Sequence, residues 1–444
     1  MFPVRGKKLI ILITGIVLAV AAIVVFTADA AARRGADPHR NVTTTAQSTP
    51  SRSDQVRARS GSHGQVRTPA RSSGQAGRRL ASVGLRRGAV SPSAAGLATA
   101  AATLPKLSPA QLAGQRVIYS YKGLNPPSAL LTLIRHGEVA GIIFFSDNIG
   151  SHAHIAAVVR ELQQANAAKT NPVRLPLLLM TDQEGGEVKR LSGAPTLSAK
   201  EMGESSTPST TTTREGRLGG KNLRSVGINV NLAPVLDVFR QPGNFIDEFQ
   251  RSFGSNPAKV SKLGTLFTTA EQAQGVAGTV KHFPGLGAAA RPQNTDERPV
   301  TLRLALSTIR DIDELPYKSA IAAKVKLVMV SWAIYPALDA KLPAGLSPTI
   351  VQGELRKRLG FAGVTITDAL EAGALRSFGS TAHRSTLAAR AGMDLLLDAE
   401  QNYRQGQASM NALESDYLHN TLNGTAFKAA VSRILALRAS LPQH

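Results

Sequence analysis

The chain has 444 residues, 43% of them apolar, which allows one large domain or two ordinary ones. The absence of cysteine excludes disulfides, thiolate metal sites, a cysteine nucleophile and attachment through a lipidated N-terminal cysteine. The formal net charge of +22 suggests nucleic acid or an anionic surface as a partner. About half of that excess lies in residues 31–104, which hold twelve arginines against Asp37 and Asp54.

The N-terminal segment has the pattern of an export signal. Arg5, Lys7 and Lys8 precede an uncharged apolar run from Leu9 to Phe26, about the length of a helix that crosses a bilayer. Small residues at 28–30 resemble a cleavage site, so residues 1–30 are either a cleaved signal peptide or an uncleaved membrane anchor. In both cases we expect an extracytoplasmic protein of the bacterial cell envelope, secreted or tethered to the membrane.

Residues 31–104 are rich in Ser, Thr, Gly, Ala and Arg and contain no Phe, Tyr or Trp. Such a composition buries too little apolar area to offset the entropy of ordering the chain, so it predicts a disordered linker. Its arginines either contact acidic polymers or headgroups, or form a merely solvated tail. They lack interleaved aromatic residues and a recognisable binding fold, which argues against nucleic acid as a partner.

The residue pattern changes near Leu104, and the new pattern predicts a barrel domain over 105–440. Eight short apolar runs alternate with helix-like segments, and the runs are RVIYSY at 116, GIIFF at 141, LLLMT at 177, INVNLA at 228, GTVKHF at 278, LVMVS at 327, GVTIT at 363 and MDLLL at 393. Near-continuous apolar strands alternating with helices indicate a parallel sheet covered by helices, and eight repeats indicate a closed (β/α)8 barrel. An open doubly wound sheet is the alternative.

In such a barrel, functional groups lie at the carboxyl ends of the strands. Polar residues do follow several runs, namely Asp182, Asp237, Lys281, His282 and Asp368. The stretch from Lys281 to Gly287 presents its cation and imidazole on a Pro-Gly turn, either as a polar site or as a solvated strand-end turn.

The third run leads into Thr181-Asp182-Gln183-Glu184-Gly185-Gly186-Glu187-Val188-Lys189-Arg190. A carboxylate, a flexible Gly-Gly and an arginine suit a pocket for a polyhydroxylated ligand, and Arg251 could add a second cation. An internal ion pair is the alternative interpretation. Asp368 follows an apolar run, so we expect it to be partly enclosed, either as a nucleophile stabilised by cations or as a helix cap.

At this point the chain resembles the glycoside hydrolase family 3 enzymes, in particular the single-barrel β-N-acetylhexosaminidase branch. The resemblance runs from about Leu107 to about Leu437, through LLLMTDQEGGEVKRL, GINVNLAPVLDV, RSFGSNPAKV, KHFPGLG, VMVSWAIYPALD and LGFAGVTITDAL, in that order. It implies a retaining exo-glycosidase that removes terminal β-linked N-acetylglucosamine from cell-wall fragments, with Asp368 as the nucleophile. It also implies that the sugar is held by Asp182, Arg190, Arg251, Lys281 and His282.

The chain departs from this branch at two positions. The loop after the Pro-Gly motif carries an Asp-Ser-His acid/base motif in the branch, whereas here it reads AAARPQNTDER and has no histidine. Asn294-Thr295-Asp296 overlays that motif best, so Asp296 is the candidate acid/base and Glu297 the second choice. Trp332 stands where the branch commonly has a histidine.

An exposed Asp has a pKa near 3.9, which makes a poor acid at neutral pH. Three outcomes follow: loop closure raises the pKa of Asp296, the enzyme is slow, or the protein binds sugars without cleaving them. A β-glucosidase of the same fold is a further alternative, disfavoured because such enzymes usually carry a second domain and few residues follow Leu437. No metal or organic cofactor is implied, because the histidines show no ligand spacing with carboxylates.

Overall fold

The computed structural model describes residues 94–442. The predicted membrane segment, 1–30, and the predicted linker up to residue 93 lie outside this range. Between residues 94 and 442, no helix combines the length and apolarity needed to cross a bilayer. A helix at Ala94–Thr103 falls inside the range predicted as linker, and it packs against the last helix of the barrel domain.

The eight predicted runs form the eight parallel strands of a closed barrel, which confirms the predicted fold and excludes the open sheet. Each strand pairs with the next along the chain, and the last pairs with the first. The strands are β1 (Val117–Tyr119), β2 (Gly141–Ile143), β3 (Leu178–Thr181), β4 (Val230–Asn231), β5 (Ala277–Phe283), β6 (Leu327–Val330), β7 (Val364–Ala369) and β8 (Leu395–Leu397). A short antiparallel hairpin, Gln183–Gly185 with Val188–Lys189, follows β3.

Helices cover the outside of the barrel and connect its strands. The α-helices are Ala94–Thr103, Pro109–Gly114, Ser128–Arg135, His152–Asn166, Ala199–Glu204, Pro208–Ser225, Phe245–Glu248, Pro257–Gln272, Leu306–Thr308, Leu315–Ala322, Thr381–Ala391, Tyr403–Leu418 and Gly424–Ala439. Two π-helical segments, Ile309–Asp313 and Thr349–Arg358, and short 3₁₀ turns at Leu104–Lys106, Ser146–Asn148, Ala344–Leu346 and Gly373–Phe378 complete the set.

Alternate residues of each strand pack on opposite faces of the sheet. In β3, Leu178 and Met180 belong to the cluster inside the barrel, whereas Leu179 packs outward against the helices. Because both faces are buried, the strands read as continuous apolar runs. Ile434 and Leu437 of the last helix join the inner cluster.

Candidate active site

Two carboxylates and two cations form a compact cluster beyond the ends of β3 and β5. Lys281 Nζ lies 2.6 Å from Asp182 Oδ1 and 2.9 Å from Glu184 Oε1. Arg251 binds Glu184 in a bidentate manner, with Nε–Oε2 and Nη2–Oε1 distances of 2.9 and 2.8 Å. The structure thus brings together residues that are far apart in the chain, since Lys281 and Asp182 are 99 positions apart.

Mutual attraction keeps all members of this cluster charged. Burial favours the neutral form of Asp182, but the charges of Lys281 and then Arg190 prevail and hold its pKa below the usual value. For Glu184, burial is likewise outweighed by Arg251 and Lys281, so its pKa also falls. Burial opposes the charge of Lys281, yet the two carboxylates raise its pKa. The cluster therefore offers fixed acceptors and donors, which suit the hydroxyl groups of a sugar.

His282 is oriented by Asp237, which lies in the loop after β4. The His282 Nδ1 to Asp237 Oδ2 distance is 2.7 Å, and Asp237 Oδ1 accepts from the backbone N–H of Leu286 at 2.7 Å. An ionised carboxylate can only accept, which assigns the imidazole proton to Nδ1. The other ring nitrogen, Nε2, lies 3.5 Å from Arg251 Nη2.

Asp368 lies at the end of β7 and is half-buried, as expected for a residue at the barrel mouth. Its Oδ1 accepts from the backbone N–H of Ala369 at 2.8 Å. Lys281 and Arg251, which the sequence suggested as its stabilising cations, form their ion pairs with Asp182 and Glu184 instead.

Asp296 lies in the loop after β5 and close enough to Asp368 to sense its charge. The side chain of Asp296 is exposed to solvent. Partial desolvation by the surrounding protein, followed by the negative charge of Asp368, raises the pKa of Asp296 to about 6, although Arg251 and His282 oppose the rise.

The loop that carries Asp296 is fixed to the segment after Asp368. The N–H of Gly373 donates to Asp296 O at 2.7 Å, and the N–H of Ala374 donates to Thr295 O at 3.0 Å. A Cβ atom at position 373 would meet Glu297 O at 2.1 Å, so glycine is required for this close approach.

Glu297, like its neighbour Asp296, is exposed to solvent. Its side chain is 59% exposed. One oxygen accepts from Asn294 Nδ2 at 3.3 Å and the other from Arg298 Nη2 at 3.2 Å. These contacts favour Asp296 over Glu297 as the group that faces Asp368.

Sequence reasoning did not include Glu184 or Glu371 among the site residues, and it named Asp237 only as a polar residue that follows a strand. Glu184 is two residues from Asp182, a spacing that directs side chains to the same side of an extended chain and could have identified it. Glu371 lies in the loop after β7, where its Oε2 accepts from Ala399 N at 3.2 Å and Gln405 Nε2 at 3.0 Å. Burial mainly, with a contribution from Asp296, raises the pKa of Glu371 to about 7.

The backbone of Gln183, between Asp182 and Glu184, is held by the side chain of Asn231 from β4. Asn231 accepts from Gln183 N at 3.0 Å and donates to Gln183 O at 3.0 Å. The amide of Asn231 also donates to the buried carboxyl group of Glu271 at 2.6 Å. This support fixes the direction of the two carboxylates that hold Lys281.

A closed parallel barrel with two neighbouring carboxyl groups at its mouth, next to a cluster suited to hydroxyl groups, has the features of a glycoside hydrolase. The chain belongs to glycosyl hydrolase family 3, because the model of the family's N-terminal domain matches residues 109–437. The family resemblance and the class of enzyme predicted from the sequence are thereby confirmed.

Relatives and solved structures agree with this family. The chain is 46% identical over 345 residues to an uncharacterized secreted glycosyl hydrolase of Arthroderma benhamiae, covering 78% of this chain and 97% of that protein. It is 32% identical over 341 residues to β-hexosaminidase A of Pseudoalteromonas piscicida, covering 71% of this chain but only 56% of that protein.

Two solved structures share the fold. One is a family 3 β-N-acetylglucosaminidase from a Paenibacillus species, with a TM-score of 0.69 and 34% identity, covering 75% of this chain and 63% of that one. The other is a β-N-acetylhexosaminidase from Beutenbergia cavernae, with a TM-score of 0.69 and 29% identity, covering 75% of this chain and 98% of that one.

Proposed function

We propose that this protein is a retaining exo-β-N-acetylglucosaminidase in which Asp368 is the nucleophile and Asp296 is the acid/base. The observation that carries the proposal is the placement of the two carboxyl groups at the barrel mouth: Asp368 ends β7, and the loop of Asp296 is held against the following segment by the hydrogen bond from Gly373 N to Asp296 O at 2.7 Å. Retaining glycosidases need one ionised carboxylate and one carboxyl group that carries a proton, and the raised pKa of Asp296 suits it to the second role.

The reaction proceeds in two displacements. The Asp368 carboxylate attacks the anomeric carbon, while protonated Asp296 gives its proton to the glycosidic oxygen, and the aglycone leaves. Asp296, now ionised, takes a proton from water, whose oxygen attacks the anomeric carbon and releases Asp368. Two inversions restore the original β configuration.

The charged cluster supplies the sugar site. We infer that Asp182, Arg190, Arg251, Lys281 and His282 hold the ring hydroxyls and the acetamido group, with Glu184 fixing the two cations. The pKa values of Asp182 and Glu184 are lowered and those of Arg251 and Lys281 are raised, so all four groups stay charged and their donors and acceptors are fixed before the sugar binds.

The choice of N-acetylglucosamine rests on the names of relatives, which include several β-hexosaminidases. A relative from Cellulomonas fimi, 32% identical over 316 residues, is named for both β-N-acetylglucosaminidase and β-glucosidase activity, so glucosides remain the second candidate substrates. A sugar-binding protein without catalysis is disfavoured because the relatives with a named activity are hydrolases.

We also propose that the protein is exported. The basic flank and apolar run at the N-terminus support export, as does the similarity to a relative described as secreted. Attachment to the membrane through residues 1–30 and action on fragments of the bacterial cell envelope remain predictions.

The full chain should be assayed with an aryl β-N-acetylglucosaminide and an aryl β-glucoside. We expect turnover of the first, and labelling of the peptide that contains Asp368 by a mechanism-based fluorosugar. Turnover of neither substrate, together with an Asp368→Asn variant that behaves like the wild type, would refute the proposal.

A further inference from the structure

The strand that carries Asp368 loses its regular pairing just before this residue. The register between β6 and β7 ends at Val330 and Thr367. On the other side, β8 pairs Leu395 with Ile366 and Leu397 with Ala369, so the register shifts in between. Such an irregularity bends a strand and redirects a side chain, and it also leaves the segment without a continuous ladder of hydrogen bonds.

The side chain of Trp332 spans this gap. Trp332 follows β6, is fully buried and is the only tryptophan of the chain. Its indole Nε1–H donates to Ala369 O at 2.8 Å, and Ala369 directly follows Asp368. The ring packs on Gly345, where a Cβ atom would lie 2.5 Å from the indole, so the ring is tightly enclosed.

The carbonyl of Ala369 is also connected, through Ala372 and Gly373, to the loop that carries Asp296. Ala369 O also accepts from Ala372 N at 3.2 Å, and the next residue, Gly373, donates its N–H to Asp296 O at 2.7 Å. These hydrogen bonds, together with the peptide link between Ala372 and Gly373, connect the indole to the backbone next to Asp368 and to the backbone of Asp296.

We propose that Trp332 is a positioning residue that sets the separation of Asp368 and Asp296 by holding the carbonyl of Ala369. This inference rests on the proposed function, because it assumes that these two residues share the reaction. In carboxylate-dependent glycosidases the separation of the pair governs the course of the reaction, so a residue that fixes it acts on kcat more than on KM.

The first test compares Trp332→Phe with a matched control, Tyr317→Phe. The Phe variant of Trp332 keeps an aromatic ring but removes the donor. Tyr317 is equally buried, its hydroxyl has no hydrogen-bond partner among residues 94–442, and it packs on Phe283 rather than on β7. We expect kcat of Trp332→Phe to fall about 10- to 100-fold with KM changed less than about twofold, and the control to retain kcat.

A donor in the same place should restore part of the rate. Trp332→His keeps a ring N–H, and we expect its kcat to lie between those of Trp332→Phe and the wild type. A kcat of Trp332→Phe within about threefold of the wild type, or an equal loss in the Tyr317 control, would overturn the proposal.

Hydrogen exchange tests the positioning without relying on activity. Peptides that cover residues 364–378 contain the amides of Ala372 and Gly373, and we expect them to exchange faster in Trp332→Phe than in the wild type or the control. Unchanged exchange refutes the role of Trp332 whether or not the enzyme is active. A wild type that turns over neither substrate contradicts the proposed function instead.

Discussion

Replacing Asp296 by Asn removes the proton that the proposed first step requires. With its pKa raised from 3.8 to about 6, about one molecule in ten carries this proton at pH 7, against about one in 1,500 without the shift. The acid must be protonated, so kcat/KM of the wild type is high below pH 6 and falls as the pH rises through that value.

The assay measures the pH dependence of kcat/KM with the N-acetylglucosamine disaccharide, whose leaving group needs a proton, and with an activated aryl glycoside, which needs it far less. We expect Asp296→Asn to lose about 10²- to 10⁴-fold on the disaccharide and much less on the aryl glycoside, and to lose the alkaline limb near pH 6. Added azide should then speed the aryl reaction, because it replaces the water that Asp296 would activate.

The neighbouring residue provides the control. Glu297→Gln changes a carboxyl group in the same loop whose side chain is 59% exposed, and we expect it to keep both the rate and the alkaline limb. The reasoning is refuted if Asp296→Asn retains the alkaline limb, or if Glu297→Gln removes it.

Two further predictions concern the support of the site. Gly373→Ala would bring a Cβ atom to 2.1 Å from Glu297 O, so we expect a folded protein whose kcat falls more than about tenfold, and an unchanged kcat would contradict the docking of the two loops. Glu184→Gln leaves Arg251 and Lys281 short of one buried negative charge, which should raise KM and cost about 3 kcal/mol in urea unfolding at pH 7. Because the pKa of Glu184 lies below its usual 4.5, the stabilisation by this carboxylate is present above pH 4.5 and is lost as the pH falls. The difference in the free energy of unfolding between variant and wild type should therefore narrow in acid. A difference that stays constant with pH would contradict the ion pairs.

The indole of Trp332 illustrates what a departure from a family pattern can indicate. The sequence showed only that a tryptophan replaces a histidine at the end of β6. The structure connects this residue to Ala369, and through it to the loop in which the acid/base histidine is also replaced. Both departures thus lie around the same pair of carboxyl groups, although 36 positions separate Trp332 from Asp296.

The barrel, and the edge of it on which the site lies, could be predicted from the residue pattern alone. Strands buried on both faces must be apolar at nearly every position, which makes runs such as LLLMT and GVTIT visible without a structure. The carboxyl ends of those strands meet at one edge of a parallel barrel, so Asp182, Lys281 and Asp368 could be assigned to a common site from their positions alone.

The pairing of the charges and the raised pKa of Asp296 could not be predicted without the folded structure. Arg251 and Lys281 bind Glu184, and Asp237 orients His282, because loops from different strands converge at distances that spacing along the chain does not encode. The raised pKa of Asp296 follows from desolvation by the surrounding protein and then from the negative charge of Asp368, and both depend on the folded arrangement of the loops.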